Sequence, residues 1–408
     1  MNAVLAAIGD ELLSGVRQEK NACFMAWHLH NKGAEVKAIE VLSDEESEIT
    51  DLLSRWIGRT DLLILSGGLG PTHDDRTRYA IAKYLGCELY SDPLYDKILA
   101  RVKDNPERLA RLEKSRSTQS MIPVKAQPVY NPTGSALGIK FTLQGTKVIA
   151  LPGVPMEYEA MTRQELPEIF APDDKHVWAS VIILGLPEMT IAERIPEVIG
   201  NTDLHVSILP AFPQVELIIR GKPEDVDKAE NLTRSRFNDV LPKGCKSLAE
   251  AVLYEAKITH AKISCSESCT GGLVGAALTD IAGSSEAFMG SAVTYSNEAK
   301  QKILGVDEKI LADFGAVSEQ CAIAMAQGSL RIYDSDYAVS ITGIAGPDGG
   351  TESKPVGTVW FGVASREKAR AFVKVLPGSR AEIRTRAVRF ALAELWRTLH
   401  NKIPAPEL

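Results

Sequence analysis

Two residues of the C-terminal third, Ser268 and Lys300, are of the types that act together as nucleophile and base. Ser268 lies in S-E-S-C-T-G-G, between an apolar run that ends at Cys265 and an amphipathic pattern that begins at Leu273. This spacing predicts a strand-to-helix junction at Ser268. A hydroxyl held there faces the positive end of a helix dipole, where developing negative charge is stabilised. The position also suits a plain helix N-cap.

Lys300 ends a second motif, T-Y-S-N-E-A-K, which closes a predicted strand over residues 287–295. With Ser296 or Asn297 as the cap, Lys300 falls in the first turn of a helix, where the dipole disfavours a cation. Burial would lower its pKa further and leave a neutral amine that accepts a proton. A serine beside such a lysine is a nucleophile that needs no histidine. Taken alone, Lys300 equally suits a solvated helix face.

A glycine-rich loop, G-I-A-G-P-D-G-G, follows a predicted strand over residues 337–342 and forms a third junction. Its backbone N–H groups could bind an oxyanion or a phosphate, although a plain turn has the same composition. The last predicted helix begins at Ser379 and places Arg380 in its first turn, where the guanidinium meets either an anion or solvent.

The N-terminal half alternates strands and helices, which predicts a parallel sheet with helices on both faces. The predicted strands cover residues 4–8, 36–42 and 62–65, and polar loops follow the first and third of them: G-D-E-L-L-S-G and G-G-L-G-P-T-H-D-D. Ligands of such sheets bind beyond the carboxyl ends of the strands. Glycine N–H groups for a phosphate together with carboxylates for a divalent cation are what phosphate-anhydride chemistry requires. Acidic residues near helix starts are otherwise caps.

Length, charge and cysteine spacing limit the class of protein. At 408 residues two or three domains are expected, which we place at residues 1–172, 173–245 and 246–408. A net charge of −7 leaves no basic footprint for nucleic acid. No apolar run reaches the roughly 20 residues that span a bilayer, the N-terminus lacks the basic start of a signal peptide, and the six cysteines lack disulfide or zinc spacing. A cytoplasmic protein is expected.

Together the motifs resemble the competence/damage-inducible protein A (CinA) family over essentially the whole chain. The first half is similar to the molybdenum-cofactor-binding (MoCF) fold in the loops at residues 9–11, 67–75, 131–138 and 151–153 and at Asn21. The last third is similar to the nicotinamide mononucleotide amidohydrolase domain through E-S-C-T-G-G, V-T-Y-S-N-E-A-K, G-A-V-S-E and S-I-T-G-I-A-G-P-D-G-G. The expected fold class is therefore α/β: an N-terminal three-layer, mostly parallel sheet, a small α+β middle domain that acts as spacer or oligomerisation module, and a C-terminal α/β domain.

For the C-terminal domain the resemblance implies deamidation of nicotinamide mononucleotide to nicotinate mononucleotide and ammonia, without a cofactor. Ser268 would be the nucleophile and Lys300 its base, with Tyr295 and Thr342 assisting proton transfer or positioning. The implied substrate contacts, which include oxyanion donors and a phosphate ligand, are Cys269, Thr270, Gly271, Gly343, Gly346 and Arg380.

For the N-terminal domain the resemblance implies metal-dependent hydrolysis of ADP-ribose to AMP and ribose 5-phosphate. A divalent cation (Mg, Mn or Co) would be held by Asp10, Glu11, Asp74 and Asp75. The implied substrate contacts are Gly67, Gly68, Gly70, Thr72 and Asn21. In one alternative this domain binds a pterin or nucleotide without turnover. In another the chain is an interaction protein of DNA uptake, which its acidic charge disfavours. A homodimer is expected, with no nucleic-acid or membrane partner.

Overall fold

The computed structural model describes residues 1–169, 177–200 and 202–400. Its chain divides into two compact units, Met1–Val177 and Trp178–Leu408. The predicted domain boundary at residues 172–173 lies outside the described residues, as do residues 401–408 of the predicted third domain. Among the helices of the described residues, each is too short or too polar to cross a bilayer.

The first unit is built from eight strands and seven helices in its described part. The strands are β1 (Asn2–Ile8), β2 (Glu35–Leu42), β3 (Leu62–Ser66), β4 (Leu89–Ser91), β5 (Met121–Pro123), β6 (Gln127–Val129), β7 (Gly138–Leu143) and β8 (Thr146–Leu151). The helices are α1 (Asp10–Leu13), α2 (Asn21–Asn31), α3 (Glu46–Trp56), α4 (Thr77–Leu85), α5 (Tyr95–Arg101), α6 (Pro106–Gln119) and α7 (Pro155–Ile169).

A six-stranded sheet in the order β2-β1-β3-β8-β7-β6 forms the middle layer of this unit. The first four strands are mutually parallel, and β7 and β6 run antiparallel to their neighbours. Alternate residues of β1 pack on opposite faces: Val4 and Ala6 join a core with α3 and α4, whereas Ala3 and Leu5 join a core with α2 and α7. This two-residue period is expected of a strand that is covered on both faces. The three-layer, mostly parallel prediction is confirmed.

The remaining strands are β9 (Val177–Leu184), β10 (His205–Ala211), β11 (Gln214–Gly221), β12 (Ile263–Glu267), β13 (Phe288–Val293), β14 (Tyr337–Gly343), β15 (Thr358–Ser365) and β16 (Ala369–Val375). The helices are α8 (Glu188–Ile199), α9 (Pro223–Arg236), α10 (Leu248–Ile258), α11 (Leu273–Thr279), α12 (Asn297–Leu304), α13 (Glu308–Asp313), α14 (Glu319–Tyr333) and α15 (Arg380–Leu399), with one 3₁₀ turn at Ser284–Glu286.

These elements form two sheets. The smaller, in the order β10-β11-β9, shares a core with α8 and α9 and is the expected small α+β element. The larger, in the order β13-β12-β14-β15-β16, has parallel pairing among its first three strands and antiparallel pairing in the last two. Helices α10, α11 and α15 share one core with this sheet, and α12 to α14 share another with it.

The parallel pairing of β12, β13 and β14 explains why three separate motifs meet. In the ladder Glu267 stands opposite Val293 on one side and Ile341 on the other. Because neighbouring parallel strands end at the same edge of a sheet, the loops that follow them converge there. Those loops carry Ser268, the segment that leads to Lys300, and the glycine-rich turn.

Candidate functional site

Ser268 is the first residue after β12, at the start of a loop that we call the nucleophile loop (residues 268–272). Its N–H donates to the Ile341 carbonyl at 2.9 Å, which continues the sheet pairing by one residue. The N-cap position of α11 is occupied by Gly272 and not by Ser268. The simple N-cap alternative for Ser268 is therefore wrong. With 8% of its surface exposed, the serine is almost enclosed but still reachable.

The positive end of α11 is occupied by Glu267, which sequence reasoning missed. This carboxylate is fully buried. It accepts four hydrogen bonds of 2.8–3.1 Å, from the amides of Gly272, Val274 and Gly275 and from the Ser291 hydroxyl. The expectation that the dipole faces Ser268 needs correction, because Glu267 uses those N–H groups. Its signal was in the quoted motif: an acidic residue just before a helix start is a capping residue.

Glu267→Gln is expected to lower the midpoint of thermal unfolding. An amide has one acceptor oxygen where the carboxylate has two, and its N–H₂ would face backbone N–H donors, a loss of about 1–3 kcal/mol. The measurement is a thermal melt beside Glu298→Gln, which removes an exposed carboxylate from the first turn of α12. Equal midpoints for the two variants would contradict the capping role.

Lys300 is buried at the start of α12, with 1% of its surface exposed. The solvated-lysine alternative is therefore wrong. Its Nζ lies 3.1 Å from Ser268 Oγ, 2.9 Å from the Thr294 carbonyl and 3.3 Å from the Tyr295 carbonyl. Within the part of the chain that the structure describes, no carboxylate forms an ion pair with it.

The surroundings of Lys300 favour its neutral form. Burial lowers the pKa of its ammonium group, and the nearby Cys321 and Cys269 thiols oppose this shift without cancelling it. A neutral amine has two N–H donors and one lone pair. With the two donors on the Thr294 and Tyr295 carbonyls, the lone pair is left for the Ser268 hydroxyl. The geometry thus suits an amine that takes a proton from Ser268.

Cys269, beside Ser268, is the competing nucleophile in this loop. It is buried, and burial raises the pKa of its thiol to about 11. At neutral pH the sulfur therefore stays protonated, and a thiol is a much weaker nucleophile than a thiolate. Serine assisted by Lys300 is the better-activated group.

The other predicted residues of this site are placed as follows. The Thr342 hydroxyl is buried and donates to the Ala316 carbonyl at 2.7 Å, and the Tyr295 hydroxyl bonds Arg380 Nη2 at 3.2 Å. Neither hydroxyl hydrogen-bonds Ser268 or Lys300, so the predicted assistance to proton transfer lacks a direct contact. Tyr295 instead contacts Lys300 through its main-chain carbonyl.

Arg380 joins two loops of the site. Its Nη1 donates to the Gly346 carbonyl at 2.7 Å while its Nη2 contacts the Tyr295 hydroxyl. Gly343 lies at the end of β14, paired with Val359. The guanidinium is exposed, so an anion at the mouth of the site can reach it.

One further arginine, Arg384, was not predicted. Its Nε donates to the Cys269 carbonyl at 3.1 Å and its Nη2 to the Thr270 carbonyl at 2.8 Å. The signal was its position one helical turn after Arg380, since residues four apart share a helix face.

The N-terminal site is a cleft of about 500 Å³ at the carboxyl ends of β1, β3 and β8. Gly67, Gly68 and Gly70, the predicted substrate contacts, line it. The first two have φ angles of +112° and +65°, and a Cβ on either would lie 2.2 Å from an oxygen, that of the Ile8 carbonyl or the Thr77 hydroxyl. Only glycine fits such a turn. The Gly67 N–H donates to the Leu151 carbonyl and the Gly70 N–H to Asp75, so these two amides are used within the protein.

The predicted metal ligands are not gathered into one cluster. Asp75 bonds the Gly70 amide at 2.7 Å and the Thr72 amide and hydroxyl at 2.8 and 2.5 Å. Asp75 and Thr72 thus hold the loop together. Asp10 lies in the first turn of α1. Across the described ranges, no group of three or more His, Cys, Asp and Glu residues could hold one metal ion.

The carboxylates that line the cleft are Glu11, Asp44, Asp74, Asp75 and Glu157, and the arginines are Arg17 and Arg111. Asp44 was not predicted. Burial and the nearby Asp10, Glu11 and Asp74 charges raise the pKa of its carboxyl, although it accepts a hydrogen bond from the Asp10 amide. In the described residues neither arginine has an ion-pair partner.

Asn21 is buried beside the cleft and not in it. Its Nδ2 donates to the Ser66 hydroxyl and to the Gly153 carbonyl, both at 2.8 Å. It lines an adjoining cavity of about 90 Å³ that shares Glu11 and Arg17 with the cleft. These contacts tie the end of β3 to the loop after β8. The predicted substrate contact of Asn21 stays a prediction, and its Nδ2 serves a contact between loops.

Comparison with known proteins covers both halves of the chain. The family model described as "CinA C-terminal domain" matches residues 245–399, and that described as "Probable molybdopterin binding domain" matches residues 4–171. A CinA-like protein of Thermosipho melanesiensis is 34% identical over 402 residues, covering 97% of this chain and 99% of that protein. A CinA-like protein of Chlorobaculum tepidum is 37% identical over 391 residues, covering 90% of each.

Among solved structures, the competence/damage inducible protein CihA from Agrobacterium tumefaciens is 40% identical and covers 40% of this chain and 99% of its own, with a TM-score of 0.37. The full-length matches confirm the family predicted from the motifs. The chain belongs to the CinA family, with a molybdopterin-binding-type domain in its first half and a CinA C-terminal domain in its last third.

Proposed function

We propose that the C-terminal site is a serine amidohydrolase that converts nicotinamide mononucleotide to nicotinate mononucleotide and ammonia. The observation that carries this proposal is the contact between Lys300 Nζ and Ser268 Oγ, 3.1 Å long, with the lysine buried. A carboxamide is a poor acyl donor, so its hydrolysis needs an activated hydroxyl and an oxyanion site. Ammonia release from the nucleotide by the purified protein tests the proposal.

In the proposed reaction the neutral Lys300 amine takes the hydroxyl proton as Ser268 Oγ attacks the carboxamide carbon. The resulting oxyanion is bound by amide N–H groups. Lys300 then gives the proton to the carboxamide nitrogen, the C–N bond breaks, and ammonia leaves an ester on Ser268. Water deprotonated by the same amine attacks the ester, the proton returns to Oγ, and nicotinate mononucleotide leaves.

The substrate phosphate requires a basic group at the mouth of the site, and Arg380 is placed to supply it. Its guanidinium is exposed and held by the Gly346 carbonyl and the Tyr295 hydroxyl. An arginine held in this way presents a fork of donors that matches phosphate geometry. The proposed steps use only the serine, the lysine and water.

For the N-terminal cleft we propose hydrolysis of ADP-ribose to AMP and ribose 5-phosphate. The supporting observation is a cleft of about 500 Å³, a volume suited to a small ligand. Arg17 and Arg111 line this cleft without an ion-pair partner among the described residues, so their guanidinium groups can bind a diphosphate. Mg²⁺ is commonly bound by one or two carboxylates together with substrate phosphates. Glu11 and Asp74 would hold such a cation, which when bound neutralises the diphosphate charge.

ADP-ribose cleavage is expected to need a divalent cation and the Asp74 carboxylate. Removing either leaves diphosphate charge uncompensated in the transition state, so EDTA and Asp74→Ala should each lower the rate by at least about 100-fold. AMP is measured by chromatography. Asp51→Ala, an exposed aspartate on α3, is the matched control.

Cleavage that persists in EDTA and in Asp74→Ala would remove the metal assignment. ADP-ribose binding without AMP formation would instead support the alternative of a binding module for a pterin or a nucleotide. A cytoplasmic homodimer remains the prediction for this enzyme, and light scattering of the purified protein tests its oligomeric state.

A further inference from the structure

We infer that Arg384 is a positioning residue that sets the direction of the oxyanion donors in the nucleophile loop. This inference rests on the proposed deamidase function. It concerns a side chain from α15 that reaches a loop more than 100 positions earlier in the sequence and holds two consecutive carbonyls of it.

Most amides of the nucleophile loop are already used. The Ser268 N–H donates to Ile341, that of Gly271 to the Ser268 carbonyl, and that of Gly272 to Glu267. In the described structure this leaves the N–H groups of Cys269 and Thr270 without an acceptor from another residue. These two amides are therefore the loop's candidates for binding an oxyanion.

Arg384 determines where one of those donors points. A trans peptide carries its C=O and its N–H on opposite sides. Since Arg384 Nε holds the Cys269 carbonyl at 3.1 Å, the Thr270 N–H in the same peptide is directed away from the guanidinium. The bond from Nη2 to the Thr270 carbonyl, 2.8 Å long, fixes the next peptide in the same way.

The other end of the loop is fixed independently. Glu267 holds the Gly272 amide, so the loop is fixed on one side by a carboxylate and on the other by a guanidinium. Two neighbouring carbonyls are best held by two donors on different nitrogens of one rigid plane. Arginine has this arrangement, whereas the donors of lysine lie on a single nitrogen. Arg384 thus differs from Arg380, whose exposed guanidinium faces the mouth of the site.

The test compares Arg384→Met and Arg384→Lys with Arg386→Met. Arg386 lies on the same helix and also donates to a backbone carbonyl, that of Pro377, outside the nucleophile loop. Two readouts are taken for each variant and for the wild type. One is kcat and KM for ammonia release from nicotinamide mononucleotide. The other is the rate at which a fluorophosphonate labels Ser268, a step in which an O–P bond forms and fluoride leaves.

For Arg384→Met we expect kcat to fall by about 100-fold, the usual loss when one oxyanion donor is removed, with KM changed less than threefold. Labelling of Ser268 should slow in parallel, because the phosphonyl oxygen occupies the same donors. Arg384→Lys should recover only part of each rate. Arg386→Met should match the wild type in both.

A wild-type kcat in Arg384→Met would overturn the inference while leaving the deamidase proposal intact. A rise in KM alone would assign Arg384 to substrate binding and overturn it as well. If the wild type releases no ammonia, the proposed function fails. Labelling then decides the positioning role by itself: slower labelling in Arg384→Met supports it, and equal labelling refutes it.

Discussion

Ser268→Ala is expected to abolish ammonia release from nicotinamide mononucleotide, with kcat lowered by about 10⁴-fold or more. The loss is this large because the hydroxyl is the group that would form the acyl ester, and no neighbour can replace it. Burial raises the pKa of the adjacent Cys269 thiol to about 11, so that sulfur is not an alternative nucleophile at neutral pH. The measurement is a coupled ammonia assay at saturating substrate.

The matched control is Ser266→Ala, two residues earlier on β12. Ser266 is also buried, and its hydroxyl donates to the Met325 carbonyl at 3.1 Å, away from Lys300. The Ser266→Ala variant should keep kcat within a few-fold of the wild-type value. Both variants should unfold at temperatures close to that of the wild type. Ammonia release by a folded Ser268→Ala protein at the wild-type rate would refute the nucleophile assignment.

The second large effect is expected for Lys300→Arg, which replaces the base with a permanently charged guanidinium. A guanidinium is not deprotonated in proteins, so the rate should fall by about 10³-fold at a pH where the wild-type amine is neutral. Lys300→Met removes the same base without the bulk of arginine. This second variant keeps the test valid if the larger arginine prevents folding. A thermal melt of each variant shows whether the protein folds. The matched control is Lys302→Arg, an exposed lysine on the same helix.

The pH dependence has a definite sign. Burial lowers the pKa of Lys300 below its ordinary value of 10.5, and only the neutral amine accepts a proton. In the wild type kcat/KM should therefore rise with pH and level off at a pH below 10.5. Between the lowered pKa and 10.5 the unfolded chain binds more protons, so this group's contribution to stability also rises with pH. A wild-type rate that falls as pH rises, or full activity in Lys300→Met, would contradict the base assignment.

The sequence predicted the architecture because period and composition are local properties. Strands over residues 4–8, 36–42 and 62–65 were expected, and β1, β2 and β3 contain them. Parallel pairing then brings together loops that are far apart in the sequence. This is why Ser268 and Lys300, 32 positions apart, could be placed at one edge of a sheet from their junctions. The sequence left open whether Lys300 is buried or solvated.

What the sequence did not reveal depends on side-chain contacts between distant elements. Arg384 reaches the nucleophile loop from the last helix. In the sequence it cannot be told apart from Arg380, one helical turn earlier, because the position of the loop is not known there. Asp75 has the composition of a metal ligand but closes its own loop through Gly70 and Thr72. Hydrogen-bond partners of this kind are decided by geometry at the ångström level, which spacing does not encode.

Whether Ser268 and Lys300 form a hydrolytic pair is decided by ammonia release from nicotinamide mononucleotide in EDTA. The wild type and Ser268→Ala are assayed side by side, with folding checked by thermal melts. We expect the wild type to release ammonia at a rate that EDTA does not change, and Ser268→Ala to release none. No release by the folded wild type, or equal release by both proteins, would contradict this expectation.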